Sequence, residues 1–206
     1  MTAIINYDAG NLFSLVKSFE TIGEGATVTL DPDVIRNADR IVLPGVGAFG
    51  AAVRRLTESG LCDVIKEEAK NGKRLLGICL GMQLLFEGSS EFGNYEGLGL
   101  LKGKIAPISE IIPRDYKIPH IGWNALRVIR GDSQIISTDL DGKLVYFVHS
   151  FSARDCGETI VATTEYGAEI TAAVEQENIF GCQFHPEKSG EVGLEILRAF
   201  STEAGT

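Results

Sequence analysis

No apolar run among the 206 residues approaches the roughly 20 needed to span a bilayer. The opening stretch, MTAIINYDAGN, has neither the basic flank nor the long apolar segment of a secretory leader. Basic residues never cluster, and the net charge is −9, which argues against a nucleic-acid surface. Cysteine is sparse: Cys62, Cys79, Cys156 and Cys182 show neither CxxC pairing nor compact disulfide spacing. Reduced thiols in a cytoplasmic protein are the simplest expectation. Histidine is scarcer still. His120, His149 and His185 are far apart in sequence, and with unclustered cysteines they offer no metal-ligand spacing, so neither a metal nor another cofactor is expected.

What the chain does have is 44% hydrophobic and 23% charged residues, enough for one domain over residues 1–206 with a sizeable core. The first half alternates strand and helix patterns. TAIIN, ATVTL, RIVLP and KRLLGIC read as strands. LFSLVKSFETIG reads as a helix closed by Gly23, and DPDVIRNAD as a short helix capped by Asp31. AFGAAVRRLTESG and LCDVIKEEAKNG are helices parted at Gly60, and LGMQLLFEG is the helix leaving KRLLGIC. From about residue 97 the pieces turn β-rich: GKIAPI, HIGWNALRVI, KLVYFVHSF, TIVATTEY, EITAAVEQ and NIFGCQF, with LDGK as a hairpin signal and EVGLEILRAFSTE as a closing helix. The predicted fold is α/β: an open, mostly parallel sheet flanked by helices, with an added antiparallel β portion.

GVGAFG at 45–50 matches the dinucleotide pattern G-x-G-x-x-G. It follows the third strand, Pro44 sits at the strand exit, and no acidic strand end follows at the expected distance. The glycines serve better as a loop whose backbone N–H groups face a cleft, a candidate source of an oxyanion donor.

GICLG has the spacing of a nucleophile elbow with sulfur in place of hydroxyl, Gly77 and Gly81 flanking Cys79. A following helix N-terminus would favour the thiolate, and the Leu80 N–H would face an oxyanion. On the pentapeptide alone, a buried inert thiol is equally compatible. His185, in CQFHPEKSG, follows an apolar strand, and Pro186 sets His185 and Glu187 toward the same side as base and orienter. His149 is a competing base without a carboxylate nearby in sequence.

GICLGMQLLFE around Cys79 and FHPEKS around His185, with NYDAGN, LPGVGAF, IPHIGWN and YFVHSF, make the chain resemble the class I glutamine amidotransferases over nearly its whole length. Met82 and the PHIGWN and YFVHS segments point, within them, to the glutaminase subunits of imidazole glycerol phosphate synthases of histidine biosynthesis. The resemblance implies a Cys79–His185–Glu187 triad acting on L-glutamine. It implies oxyanion donors from Leu80 and from Val46 or Gly47, and substrate recognition by Gly45, Gln83, Glu91 and the backbone near Ser150 and Phe151. Asn6 and Cys182 depart from the usual pattern without touching the triad.

Only 19 residues follow Glu187, too few for an ammonia acceptor, so the acceptor is expected on another chain. By resemblance that partner is a (β/α)8-barrel cyclase forming a heterodimer, with Asn11, Trp123, Tyr146 and Lys188 as interface candidates. Other readings stay open on the residues themselves: the glutaminase component of a different synthase, a cysteine hydrolase using the same elbow, or a binding module that retains the fold.

Overall fold

The computed structural model describes residues 1–7 and 11–202. Asp8, Ala9 and Gly10 of the NYDAGN motif lie outside the described residues, as do residues 203–206. In chain order the first half runs β1 (Thr2–Ile5), α1 (Leu12–Thr21), β2 (Ala26–Thr29), α2 (Pro32–Asn37), β3 (Arg40–Leu43), α3 (Phe49–Glu58), α4 (Leu61–Lys70), β4 (Arg74–Ile78) and α5 (Leu80–Leu84). There follow β5 (Phe86–Ser89), β6 (Tyr95–Glu96), β7 (Leu101–Pro107), β8 (His120–Ala125), β9 (Arg127–Val128), β10 (Leu144–His149), β11 (Phe151–Arg154), β12 (Ile160–Glu165), β13 (Glu169–Gln176), β14 (Ile179–Cys182) and α6 (Gly190–Ser201).

The principal sheet has the order β2-β1-β3-β4-β14-β13-β12-β9. It is parallel from β2 through β14 and antiparallel beyond. After their first residues (Thr2, Arg40 and Arg74) the central strands β1, β3 and β4 are apolar, because both faces are covered. Ala3, Ile5, Ile41, Leu43 and Leu75 point to one side, against Ile35, Leu56, Leu61 and Ile65 of α2, α3 and α4. Ile4, Val42, Leu76 and Ile78 point to the other, against Leu15 and Phe19 of α1 and Ile196, Leu197 and Phe200 of α6. The period of two along each strand thus sorts side chains between two cores.

Helix ends follow local chemistry. The Asp31 carboxylate accepts the Asp33 N–H at 2.9 Å and Pro32 occupies the first turn of α2. Gly60, at φ 71°, parts α3 from α4 in a conformation open mainly to glycine.

Three expectations need correction. The helix leaving β4 covers only Leu80–Leu84, because Phe86 and Ser89 bury as strand β5 against β7 and β6. The β-rich portion therefore begins at residue 86 rather than near 97. LDGK is not a hairpin: the Lys143 N–H closes a four-residue turn on the Leu140 carbonyl at 3.0 Å, but β10 pairs with β8 rather than with the strand just before the turn. β8 and β10 make a separate two-stranded ribbon, and β11-β7-β5-β6 a third sheet.

Candidate active site

Residues Cys79 and His185 arrive together because β4 and β14 are parallel neighbours, with Ile78 paired to Cys182. The Cys79 N–H continues that ladder to the Cys182 carbonyl at 2.7 Å. Cys79 itself turns sharply, at φ 54° and ψ −110°, a conformation that costs a non-glycine residue about 1–3 kcal/mol. The flanking glycines make the turn fit. A Cβ on Gly77 would lie 2.6 Å from the Met82 Cα, and one on Gly81 would collide with the Leu43 carbonyl oxygen. α5 is five residues long, so the dipole available to the sulfur is that of little more than one turn, less than the sequence led one to expect. The Cys79 Sγ lies 3.8 Å from the Val148 carbonyl oxygen and accepts from Gln183 Nε2 at 3.7 Å.

His185 is buried, and its Nδ1 stands 2.8 Å from Oε1 of Glu187, a residue of the 3-10 turn Pro186–Lys188 whose side chain is 4% exposed. Burial alone would lower the imidazole, but interaction with Cys79 and with Glu187 outweighs it and raises the group to about 9. Imidazolium is therefore the form at neutral pH. The opposite nitrogen, Nε2, is buried with no oxygen or nitrogen partner among the described residues, which leaves it to Cys79 and to a reacting group. Strand β10 clamps the ring's backbone: the His185 N–H donates to the Tyr146 carbonyl at 2.9 Å, and Ser189 Oγ donates to the His185 carbonyl at 2.6 Å while accepting the Tyr146 N–H at 3.1 Å.

A cavity of about 300 Å³ opens beside the sulfur, lined by Val46, Gly47, Leu80, Gln83, Glu91 and the 148–151 segment. The Leu80 N–H, expected to face an oxyanion, donates to the Gly45 carbonyl at 3.3 Å in this conformation. Gly45 is wedged under Tyr7, whose hydroxyl donates to the Pro44 carbonyl at 2.6 Å, and Gly47 has φ 104°. Gln83 is buried, and its Nε2 donates to the Phe151 carbonyl at 3.1 Å and to Gln183 Oε1 at 3.0 Å. Glu91 is no solvated charge: it is buried, and its Oε2 accepts the Phe49 N–H at 2.6 Å. A carboxylate thus holds the start of α3, where a dinucleotide pattern would need phosphate. The Ser150 carbonyl accepts from Ile108 N–H at 3.0 Å, which with the Phe151 contacts fixes the wall of the cavity.

His149, the competing base, has both ring nitrogens engaged, Nδ1 with the Phe151 carbonyl at 2.8 Å and Nε2 with His120 Nδ1 at 3.0 Å. Burial is the main cause that lowers it to about 4, so it is a neutral ring at neutral pH. Cys182 is wholly buried on β14, and burial pushes its thiol up. Among the described residues no group of three or more His, Cys, Asp or Glu side chains is placed to hold a metal ion.

The four interface candidates separate. Trp123 on β8 is 53% exposed and meets Tyr146 of β10 edge-on at 6.0 Å. Lys188 lies over the Tyr146 ring at 5.6 Å. Asn11 caps α1, its Oδ1 accepting the Ser14 N–H at 3.4 Å. Sequence reasoning assigned no role to Gln183, Ser189 or Tyr7. Ser189 stood inside FHPEKS, but its two partners belong to the fold.

Comparison with known proteins bears on this geometry. The family described as Glutamine amidotransferase class-I matches residues 3–204. Two similar proteins are named imidazole glycerol phosphate synthase subunit HisH. That of Lactiplantibacillus plantarum is 46% identical over 200 residues, covering 97% of this chain and 94% of the relative. That of Methanothermobacter thermautotrophicus is 46% identical, covering 97% of each. Among solved structures, a glutamine amidotransferase crystal structure aligns at a TM-score of 0.76 and 17% identity over 98% of this chain and 99% of the other. PurLQS from Thermotoga maritima aligns at 0.73 and 21%, over 97% and 96%. The elbow, the histidine–glutamate pair and the fold around them thus occur in a chain that belongs to the class I glutamine amidotransferases, among relatives that are imidazole glycerol phosphate synthase HisH subunits.

Proposed function

We propose that residues 1–206 act as one glutamine amidotransferase domain, in which Cys79, His185 and Glu187 hydrolyse L-glutamine to glutamate and ammonia. The observation that carries the triad is the Ile78–Cys182 register, which sets a strained cysteine and a buried imidazole–carboxylate pair at the ends of adjacent parallel strands. Cys79 Sγ, as the thiolate whose proton His185 holds, attacks the side-chain carboxamide carbon. The C–N bond then breaks, and the leaving nitrogen takes a proton from His185 Nε2, giving ammonia and a γ-glutamyl thioester. The imidazole next takes a proton from water as the water oxygen attacks the thioester, and glutamate leaves as the C–S bond breaks. Glu187 holds the ring and offsets its charge.

The oxyanion site is incomplete in the conformation described, since the Leu80 N–H is spent on the Gly45 carbonyl. Turning the Gly45–Val46 peptide over would free that donor and bring the Val46 N–H to the same place. One such donor is worth ~10²–10³ in turnover, so the loop can act as a switch. Gln83, Glu91 and the 150–151 wall would bind glutamine. A cavity of about 300 Å³ is at the small end of ligand sites and suits one amino acid better than an extended peptide.

The chain serves imidazole glycerol phosphate synthesis in histidine biosynthesis, in keeping with its relatives. Its partner would be a cytoplasmic (β/α)8-barrel cyclase that uses the ammonia to make imidazole glycerol phosphate and aminoimidazole carboxamide ribotide. The exposed apolar face of the β8–β10 ribbon, with Ile121 at 57%, Trp123 at 53% and Leu144 at 53%, lies beside the cavity and offers the docking surface. No helix among the described residues is long and apolar enough to cross a membrane. Glutamate release is the test: slow for the chain alone and sharply raised by the cyclase with its nucleotide substrate. Release that ignores the cyclase would reject the pairing.

A further inference from the structure

His120 and His149 make a buried chain of hydrogen bonds that the triad does not use. Their four ring nitrogens have three contacts: His149 Nδ1 with the Phe151 carbonyl at 2.8 Å, His149 Nε2 with His120 Nδ1 at 3.0 Å, and His120 Nε2 with Asn124 Oδ1 at 2.9 Å. The Phe151 carbonyl can only accept, so His149 Nδ1 carries a hydrogen. The Asn124 amide is oriented by its own Nδ2, which donates to the Glu165 carbonyl at 2.9 Å; its Oδ1 must therefore accept from His120, and His120 Nε2 carries a hydrogen. Two neutral rings would then face each other lone pair to lone pair across 3.0 Å.

We propose that the pair holds three hydrogens, with the extra charge on His120, and that this charged strut positions the Phe151 carbonyl and the neighbouring Ser150 at the glutamine cavity. The role rests on the glutaminase reading; the proton count does not. The surroundings of His120 suit an imidazolium. Its ring is sandwiched between Tyr166, with centroids 4.0 Å apart and planes at 20°, and Phe147, at 4.9 Å and 20°. Both faces therefore meet aromatic π-density, which attracts a cation. Burial opposes the charge and, outweighing the Asn124 hydrogen bond, leaves the group lowered; what favours the extra hydrogen is the lone-pair contact across 3.0 Å that it removes.

The titratable groups around the pair are few. The β8–β10 ribbon supplies the two rings themselves, the β12–β13 turn supplies Tyr166, and the segment after β14 supplies His185, whose charge opposes a proton on His149. All four nitrogens are satisfied without a carboxylate. The charge is thus held by acceptors and rings alone, and is lost on raising the pH. A neutral pair must part or change a tautomer: a His120 hydrogen moved to Nδ1 leaves a lone pair against Asn124 Oδ1, and a His149 hydrogen moved to Nε2 turns one toward the Phe151 carbonyl, so either the strut or the cavity wall loosens.

Nitrogen-15 NMR of the histidine-labelled full chain at neutral pH counts the hydrogens directly, with single-histidine variants for assignment. Three hydrogens over the His120 and His149 nitrogens are expected; two would overturn the proposal. Glutamine affinity of a Cys79→Ala chain, which binds without turnover, is then followed by calorimetry against pH. It should weaken as His120 loses its proton. Asn124→Asp, by placing a carboxylate on His120, should move that loss upward by about 1–3 pH units. Three hydrogens with an affinity indifferent to their loss would overturn the positioning role while leaving the glutaminase reading intact. A chain that binds no glutamine at any pH would sink that reading and the positioning role with it, leaving the proton count to stand on the spectra alone.

Discussion

Glu187 controls one proton. Burial opposes charge on His185, yet its contacts with Cys79 and Glu187 raise it from 6.5 to about 9. A group raised on folding stabilises fully below its unfolded value. That contribution is therefore present below pH 6.5 and lost as pH climbs from 6.5 through about 9. Glu187→Gln keeps the shape and removes the charge, so His185 should fall toward its ordinary value. Melting temperature should then decline less between pH 6.5 and 9 than in the unaltered chain. Turnover with the cyclase and its substrate should drop on the order of 10²–10⁴-fold, with a smaller change in KM. An unchanged rate would remove Glu187 from the mechanism. The sharp turn at Cys79 and the His185–Glu187 contact were legible in sequence because GICLG and HPE keep chemistry and backbone constraint within a few residues. Gln183 was not, since its partner Gln83 lies 100 positions away and a glutamine in a strand reads as an ordinary polar position.

The strand–turn–helix element around Cys79 depends on two glycines that leave no room for a methyl group. Gly81→Ala would drive a Cβ into the Leu43 carbonyl at the end of β3, the strand beside β4. Overpacking of this kind costs about 1–3 kcal/mol and sometimes more. The urea midpoint should fall accordingly, and glutaminase activity should fall further than stability, because Leu43 leads directly into the 45–47 loop. A variant with normal stability and activity would contradict the close approach. The parallel strands and their helices were legible from period and caps. The ends of α5 were not. Periodicity carries the helical pattern through Phe86, but that side chain buries in the third sheet, and the chain leaves the helix to pair with Leu101. LDGK likewise supplied a true turn, but the pairing of β10 with β8 is set by the ribbon rather than by that turn.

At the scale of the whole molecule, the apolar ribbon and the cavity share one side, because Val148 of β10 lines the cavity while its cross-strand neighbour Ile121 is exposed. Trp123→Ala should weaken assembly with the cyclase by about 2–4 kcal/mol if Trp123 anchors the interface, read as a dissociation constant by calorimetry. An unchanged constant would place the docking surface elsewhere. The sequence could name Trp123 as a candidate but could not place it, since an indole in a strand serves a core or an interface equally well; its 53% exposure favours the second. The central claim is that Cys79 alone is the nucleophile for glutamine. The most direct measurement is peptide mapping after treatment with a glutamine analogue bearing an electrophile at its side-chain carbonyl. One adduct is expected, on Cys79, suppressed by excess L-glutamine and absent from Cys79→Ala. An adduct on Cys62, Cys156 or Cys182 in place of Cys79, or labelling of Cys79 that glutamine does not suppress, would contradict it.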